Sequence, residues 1–270
     1  MIDFIDINCH YFACQGDGID AFTRLLEHPK LRALMVSSVD LKLAHSADFP
    51  FMPSFFNTSN EQLARLDEAL RSRKLLRWCF IDPLEDNAAA KLEIWVTQRG
   101  ARGLKLYPPR GFHVDDPRAL RVLKTAEELG VPAFLHMGRT AAHPQLDSAF
   151  AQPLRLEKVG LACPRLKLLI GHFASPWQRE AMDVAMGFPN FYFDLSTSGA
   201  WDVPLLRKVI EYPDLGLGRL VYGSNNDGRG NLATAERLYS ALKRENFSDA
   251  ECAAIFLENA CEVLGLEAMA

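Results

Sequence analysis

The stretch ARGLKLYPPRGFHVDDPRALRVLKTAEELGVPAFLH, Ala101 to His136, holds one complete unit of the architecture. ARGLKLY (Ala101 to Tyr107) and VPAFLH (Val131 to His136) are short β-rich apolar runs, and between them PRALRVLKTAEELG spaces its apolar residues three and four apart, as one face of a helix requires. Asp116-Pro117 supplies an N-cap and a proline in the first turn, and Gly130 ends the helix directly before the next run. The unit reads strand, helix, strand.

The same alternation extends in both directions. Apolar runs precede the unit at Ile2 to Ile7 (IDFIDI), Ala33 to Val39 (ALMVSSV) and Leu75 to Ile81 (LLRWCFI). They follow it at Leu166 to His172 (LKLLIGH), Asn190 to Leu195 (NFYFDL) and Arg219 to Ser224 (RLVYGS). Segments of helical character separate them, among them IDAFTRLLEH, NEQLARLDEALRSR and NAAAKLEIWVTQR, and SDAECAAIFLENACEVLGL closes the chain. Eight strand-helix units in 270 residues, about 34 residues each, predict a (β/α)8 TIM barrel with C-terminal helices. An open doubly wound sheet would carry a G-x-G-x-x-G turn after its first strand, and Asn8-Cys9-His10 stands there instead. No linker or low-complexity tract interrupts the series, so a single domain over 1–270 is expected. The longest connection, about Leu41 to Ser59, is rich in aromatics and prolines and reads as a loop over one barrel mouth.

Composition narrows the function. Nearly half the residues are hydrophobic, which is ample for a core without staples. A net charge of -4 gives no basic stripe for nucleic acid, and no apolar run is long enough to cross a membrane. Six scattered cysteines (Cys9, Cys14, Cys79, Cys163, Cys252, Cys261) without C-x-x-C pairs fit reduced thiols, and the N-terminus lacks signal-peptide features, so a cytoplasmic location is expected. The expected partner is a small-molecule substrate, with homo-oligomerisation left open.

In such a barrel, reactive side chains come from the carboxyl ends of the strands. That position selects Asn8 and His10, Lys105, His136, His172, Asp194, and Ser224 with Asn225. Alternation places Asn8 and His10 on one side of the first strand and Cys9 on the other. Three histidines on separate strands can converge, as metal ligands or as hydrogen-bonded imidazoles. For Lys105 three readings stay open: an anion anchor, a carbamylated bridging ligand, or a lysine paired with an acid. Arg110 and Arg139, after the fourth and fifth strands, are placed to pair with a carboxylate or phosphate of the substrate. The glycine-rich GSNNDGRGN before the last long helix is a candidate anion loop, and Cys14 a candidate thiol near His10.

The ladder IDINCH, ARGLKLYPPRGF, VPAFLHMG, LKLLIGHFA and RLVYGSNND, closed by ENACEVLGL, resembles the amidohydrolase superfamily. The likeness is to its amidohydrolase-related (amidohydrolase 2) branch of metal-dependent hydrolases and nonoxidative decarboxylases. The resemblance implies that Asp6 opens the strand 1 motif, His10 is its second histidine, His136 the strand 5 ligand and His172 the strand 6 histidine. Two positions depart from the pattern. Asn8 stands where a first histidine is expected, and Asn225 where an aspartate binds metal and handles the proton. A carboxamide cannot accept a proton from water at neutral pH, so the usual general base is missing. Asp227 and Asp194 are the candidate replacements, each with a structural alternative, as a solvated loop acid and a hydrogen-bond acceptor. His10, His136 and His172 with water can still complete a catalytic site for one divalent metal, zinc by ligand type. With Lys105, His172, Asp194 and Asp227 as catalytic candidates and Asn8, Arg110, Arg139 and Asn225 facing substrate, the expected activity is metal-assisted hydrolysis of a small lactone, ester or amide. A nonoxidative decarboxylase and a non-catalytic barrel that binds a metabolite or partner are the alternatives.

Overall fold

A computed structural model describes residues 2–13, 18–44, 56–140, 143–196 and 203–267. Its eight strands are β1 (Phe4–His10), β2 (Leu31–Ser37), β3 (Leu75–Phe80), β4 (Gly103–Leu106), β5 (Ala133–Leu135), β6 (Leu168–Ile170), β7 (Phe191–Asp194) and β8 (Leu220–Val221). They pair in chain order as one parallel sheet. The two edges meet. Ile7 N–H donates to Tyr222 O at 3.1 Å, Asn225 N–H to Asn8 O at 2.7 Å, and His10 N–H to Asn226 O at 2.7 Å. The predicted (β/α)8 TIM barrel is the fold.

A helix follows each strand in turn: Gly18–Leu26, Asn60–Leu70, Ala88–Thr97, Pro117–Glu128, Leu156–Ala162, Gln178–Met186, Val203–Glu211 and Asn231–Arg244. The signals in the sequence are the ones used. Asp116 Oδ1 accepts from Arg118 N at 2.8 Å ahead of Pro117, and Gly130 adopts φ +67°, a left-handed conformation that costs a residue with a side chain. Two closing helices, Asp249–Ala253 and Asn259–Leu264, are joined by a π-helical turn, Ala254–Glu258.

Period-two alternation sorts the strand residues. Leu104 and Leu106, Ala133 and Leu135, Leu168 and Ile170, and Phe191 and Phe193 pack outward under the helices. Ile5, Ile7, Met35, Trp78, Phe134, Leu169, Tyr192 and Val221 fill the barrel, capped by Ala260, Cys261 and Val263 of the last helix. In β1 the register with β2 shifts between Asp6 and Cys9. This irregularity lets Ile5 and Ile7 face the interior below while Asn8 and His10 face it above, with Cys9 turned to the outer core.

The apolar runs and the strands differ in length. β1 continues to His10, beyond the apolar run that ended at Ile7, because its last residues are polar and serve the site. β5, β6 and β8 are only two or three residues long, since their chains leave the ladder where side chains must turn into the mouth. Of the long connection after β2, Leu41, Leu43 and Phe56 pack with Val39, Phe80 and Tyr107 at the mouth, while residues 45–55 lie outside the described residues, as does Cys14. The other five cysteines are free and buried. Among the described residues no helix is long and apolar enough to cross a membrane.

The interior leaves no slack beside Trp78, whose Nε1–H donates to Ile7 O at 2.9 Å. A Cβ on Gly103 would stand 2.1 Å from Trp78 Cζ3. Gly103→Ala is therefore expected to lower the unfolding free energy by about 1–3 kcal/mol through overpacking. Urea denaturation measures this, and an unchanged midpoint would mean that the Trp78 ring moves aside at no cost.

Candidate active site

Above the apolar filling, the same alternation lifts polar side chains into the mouth. On β4, Gly103 faces Trp78, Lys105 follows one step up, and Tyr107 one step beyond it. After Phe134 on β5 comes His136; after Tyr192 on β7 come Asp194 and Ser196. His172 arrives differently. The chain after β6 turns through His172, Phe173 and Ala174 with φ of 55°, 50° and 50°, and His172 N–H is tied to Asp194 Oδ2 at 2.9 Å.

Lys105 is fully buried. Its Nζ donates to Asn8 Oδ1 at 3.3 Å and lies 3.4 Å from the centre of the Phe134 ring. Asn8 Nδ2 donates to Asp194 Oδ2 (3.2 Å) and Ser196 Oγ (3.0 Å), and Ser196 Oγ donates to Asp194 Oδ2 in turn. His172 Nδ1 meets Ser196 Oγ at 2.8 Å, and His172 Nε2 meets His136 Nδ1 at 2.9 Å. His10 Nδ1 meets Ser37 Oγ at 2.9 Å, and its Nε2 donates to Asn225 Oδ1 at 2.9 Å. His136 Nε2 is buried without a hydrogen-bond partner.

These groups form the floor of a cavity of about 420 Å³, within the range of small-molecule sites. His10, His136, His172 and Asn225 line it together with Phe12, Phe56, Tyr107, Arg139, Thr140 and Ser175. Tyr107 stacks on His136 with centroids 4.2 Å apart and bonds Thr140 Oγ1 through its hydroxyl. The Arg139 guanidinium is exposed at the rim and makes no hydrogen bond or ion pair among the described residues.

Burial and the Lys105 cation set the protonation states. Burial pushes Lys105 down to about 7 against the pull of Asp194. Burial, then Lys105, pushes His10 down to about 3, with the Asn225 bond opposing. Burial, Lys105 and His10 hold His172 well below the imidazole range. His136 lies equally low through burial, His172, Lys105 and His10, opposed by the Arg139 backbone. Burial raises Asp194, while the donors converging on it act in the other direction. All three imidazoles are thus neutral at neutral pH.

Of the residues singled out from the sequence, the structure brings His10, His136, His172, Asn225 and Arg139 to the cavity and Asn8, Lys105 and Asp194 to the layer beneath it. Arg110, in the turn Pro108–Arg110, does not line the cavity, and neither does Asp227, whose Oδ1 caps Arg229 N at 3.3 Å. The mouth residues not singled out are Ser37, Ser196, Tyr107, Thr140, Ser175 and Phe12, with Phe56 foreseen only as part of the long connection over the mouth. Tyr107 and Ser196 sit two residues beyond Lys105 and Asp194, so alternation alone would have found both.

A parallel barrel whose carboxyl-end cavity collects imidazoles from β1, β5 and β6 is the scaffold of a barrel enzyme. The chain belongs to the amidohydrolase 2 family: the family model described as Amidohydrolase matches residues 5–266. No curated protein matches the sequence. Among solved structures, an uncharacterized TIM-barrel protein from Bordetella bronchiseptica is 18% identical, with 98% of this chain and 99% of that chain covered and a TM-score of 0.72. A dihydroxybenzoic acid decarboxylase from Polaromonas sp. JS666, with bound manganese and the inhibitor 2-nitroresorcinol, is 15% identical (98% and 97% covered, TM-score 0.67). A probable 2-pyrone-4,6-dicarboxylic acid hydrolase from Acinetobacter baumannii, with citric acid bound, is also 15% identical (98% and 100% covered, TM-score 0.64). At these identities the likeness is one of fold, and with the family match it makes this chain an enzyme.

The family is metal-dependent, but the donors of this chain do not fit a divalent ion. Among the described residues no group of three or more His, Cys, Asp or Glu side chains is placed to hold one. Both ring nitrogens of His10 and of His172 face hydrogen-bond partners, which leaves His136 Nε2 as the one open imidazole nitrogen of the three. Asp194 already receives His172 N, Ser196 Oγ and Asn8 Nδ2, and a lysine ammonium lies beside it. Zinc ligation by His10, His136 and His172, expected from the sequence, is not the arrangement these side chains adopt.

Two outcomes follow from this chemistry. Native protein titrated with Zn²⁺ or Mn²⁺ in a calorimeter is expected to bind neither stoichiometrically, and Asn8→His with Asn225→Asp to gain a site; tight binding by the native chain would contradict the reading of the donors. Secondly, the unfolded chain binds protons below pH 6.5 that the buried imidazoles refuse until about pH 3 at His10, so stability present above that window is lost as pH falls through it. Asp6, raised by burial to about 6, works the opposite way. His10→Gln is expected to lose about 2 kcal/mol less than the native chain between pH 7 and pH 5 in urea denaturation.

Proposed function

We propose that this enzyme hydrolyses a small, planar, carboxylate-bearing carbonyl compound, a lactone or ester, with His136 Nε2 as general base. One observation carries the reading: His136 lines the cavity with a neutral imidazole whose buried Nε2 has no hydrogen-bond partner, and among the described residues no carboxylate belongs to the lining. Burial, then His172, Lys105 and His10, hold His136 well below the imidazole range, so its ring is neutral at neutral pH and carries a lone pair. Decarboxylation needs a proton delivered to carbon, and among the described residues no carboxylic acid or imidazolium lines the cavity to supply it.

The remaining lining supports the substrate class. Phe12, Phe56 and Tyr107 give flat apolar walls, and Arg139 offers at the rim a guanidinium unpaired among the described residues, for a carboxylate. Asn225 Oδ1 is engaged by His10, which leaves Nδ2 without a partner among the described residues, available to the oxyanion that forms as water attacks. In this role Asn225 contributes a donor where the resemblance implied an aspartate base. The Acinetobacter hydrolase and the Polaromonas decarboxylase both act on planar unsaturated acids by their names, which favours the same class here.

A panel of lactone, ester and hydroxybenzoate carboxylates, followed both by pH-stat and by CO₂ release, tests the proposal. Hydrolysis without CO₂ is expected, with kcat lowered about 10²–10⁴-fold in His136→Ala and KM raised in Arg139→Met while kcat holds. Stoichiometric CO₂ release would assign the decarboxylase reading instead.

A further inference from the structure

Proton counting along one chain of side chains fixes the state of the imidazole on the cavity. Lys105 Nζ donates to the carbonyl oxygen of Asn8 at 3.3 Å. The Asn8 amide nitrogen is thereby turned toward Ser196 Oγ at 3.0 Å and Asp194 Oδ2 at 3.2 Å. Ser196 owns one hydroxyl proton and gives it to Asp194 Oδ2, a carboxylate oxygen that also receives His172 N–H. Ser196 Oγ is then an acceptor, so His172 Nδ1, at 2.8 Å, carries the proton. A neutral His172 presents a lone pair on Nε2, and at 2.9 Å it receives Nδ1–H of His136. The single ring proton of His136 is accounted for, and its buried Nε2 is a bare lone pair.

We propose that Asp194, Ser196, His172 and His136 form a hydrogen-bonded relay that holds His136 in the Nδ1–H tautomer and so makes Nε2 the base of the reaction. His136 is the catalytic residue; His172, Ser196, Asp194 and Asn8 are positioning residues. The inference rests on the hydrolytic reading above for its chemistry and on the hydrogen bonds alone for its geometry. In the step it describes, a water oxygen bonds to the carbonyl carbon, the water proton moves to His136 Nε2, and the carbonyl π pair moves to oxygen. On collapse the carbon–oxygen bond to the leaving group breaks, and that oxygen takes the proton back from Nε2. No proton crosses the relay. It orients the imidazole and, through His172 Nε2 and on to Asp194, stabilises the imidazolium while it lasts.

Tautomers are read directly by long-range ¹H–¹⁵N correlation on histidine-labelled protein, with assignments from His136→Gln and His172→Gln. The native chain is expected to show both His136 and His172 protonated on Nδ1, with the unprotonated-type shift on His136 Nε2. A proton on His136 Nε2, turned toward the Arg139 backbone, would overturn the relay whatever the substrate. Ser196→Ala is expected to lose the single-tautomer state at His136 and Ser196→Thr to retain it; an unchanged Nδ1–H form in Ser196→Ala would remove Ser196 and Asp194 from the relay. On a substrate from the panel, Ser196→Ala should lower kcat about 10–100-fold with KM held, and Ser196→Thr should recover most of it. If the tautomers are as stated and the panel yields no hydrolysis, the hydrolytic reading fails and the relay stands.

Discussion

A lysine ammonium enclosed at the floor of the barrel mouth governs this site. Lys105 has no access to water, and a cation in that position persists only with partners: Asn8 Oδ1, the Phe134 ring face and the negative charge of Asp194. Its consequences spread from there. The donor on Nζ dictates which way the Asn8 carboxamide points, and that orientation directs two further donors at Asp194 and Ser196. The same charge lowers the proton affinity of His10, His136 and His172 together. It also bears on cations from outside. Two unit charges 4 Å apart interact by about 4 kcal/mol at an effective dielectric of about 20, and a divalent ion at that range from Nζ would meet about twice that repulsion.

The closure of the barrel and the assembly of this layer are one event. Asp6, buried just below Asn8, accepts from Ser224 N at 2.9 Å, Asn8 N at 3.2 Å and Asn231 Nδ2 at 2.8 Å, which fastens β1 to the chain leaving β8 and to the helix that follows. Gly223 makes the seam close: a Cβ there would fall 2.2 Å from Asp194 Oδ1 and 2.9 Å from Asn8 Cβ. The strands bearing Asn8 and Asp194 approach each other at that distance only because the residue between them has no side chain. Asp6, which by resemblance opens a metal-binding motif, serves here as the clamp between first and last strands.

The fold was legible because its signal is repeated. Eight apolar runs at regular spacing leave little alternative, and the cap at Asp116 and the stop at Gly130 fix individual boundaries. The site was half legible. Position at a strand end found His10, His136, His172 and Asn225, since that depends only on where each strand stops. Arg110 and Asp227, which also follow strands in sequence, do not line the cavity; each belongs to a local turn beyond its strand. The orienting hydroxyls of Ser37 and Ser196 escaped because serine is common and its role exists only through its neighbours. Tyr107 and Ser196 were within reach by counting in twos. Phe12 was not, because it comes from a connection with no periodicity to count, and Phe56 was foreseen only as part of the aromatic connection over the mouth.

The turn after β6 shows why the relay and the backbone belong to one construction. His172, Phe173 and Ala174 all lie in the left-handed region, which costs roughly 1–3 kcal/mol for each residue without a glycine. Such a turn persists where its surroundings over-determine it. His172 N–H donates to Asp194 Oδ2, and Gly138, at φ +88°, lets the chain after β5 press against it so closely that a Cβ would lie 2.3 Å from Ser175 O. A relaxed turn would carry the His172 ring along the strand direction and away from Ser196 and His136. Asp194 therefore acts on His172 twice, through the backbone that sets where the ring begins and through Ser196, which sets how it is turned. That double hold is what a relay of neutral imidazoles needs, because a neutral ring, unlike a metal-bound one, is kept in register only by hydrogen bonds.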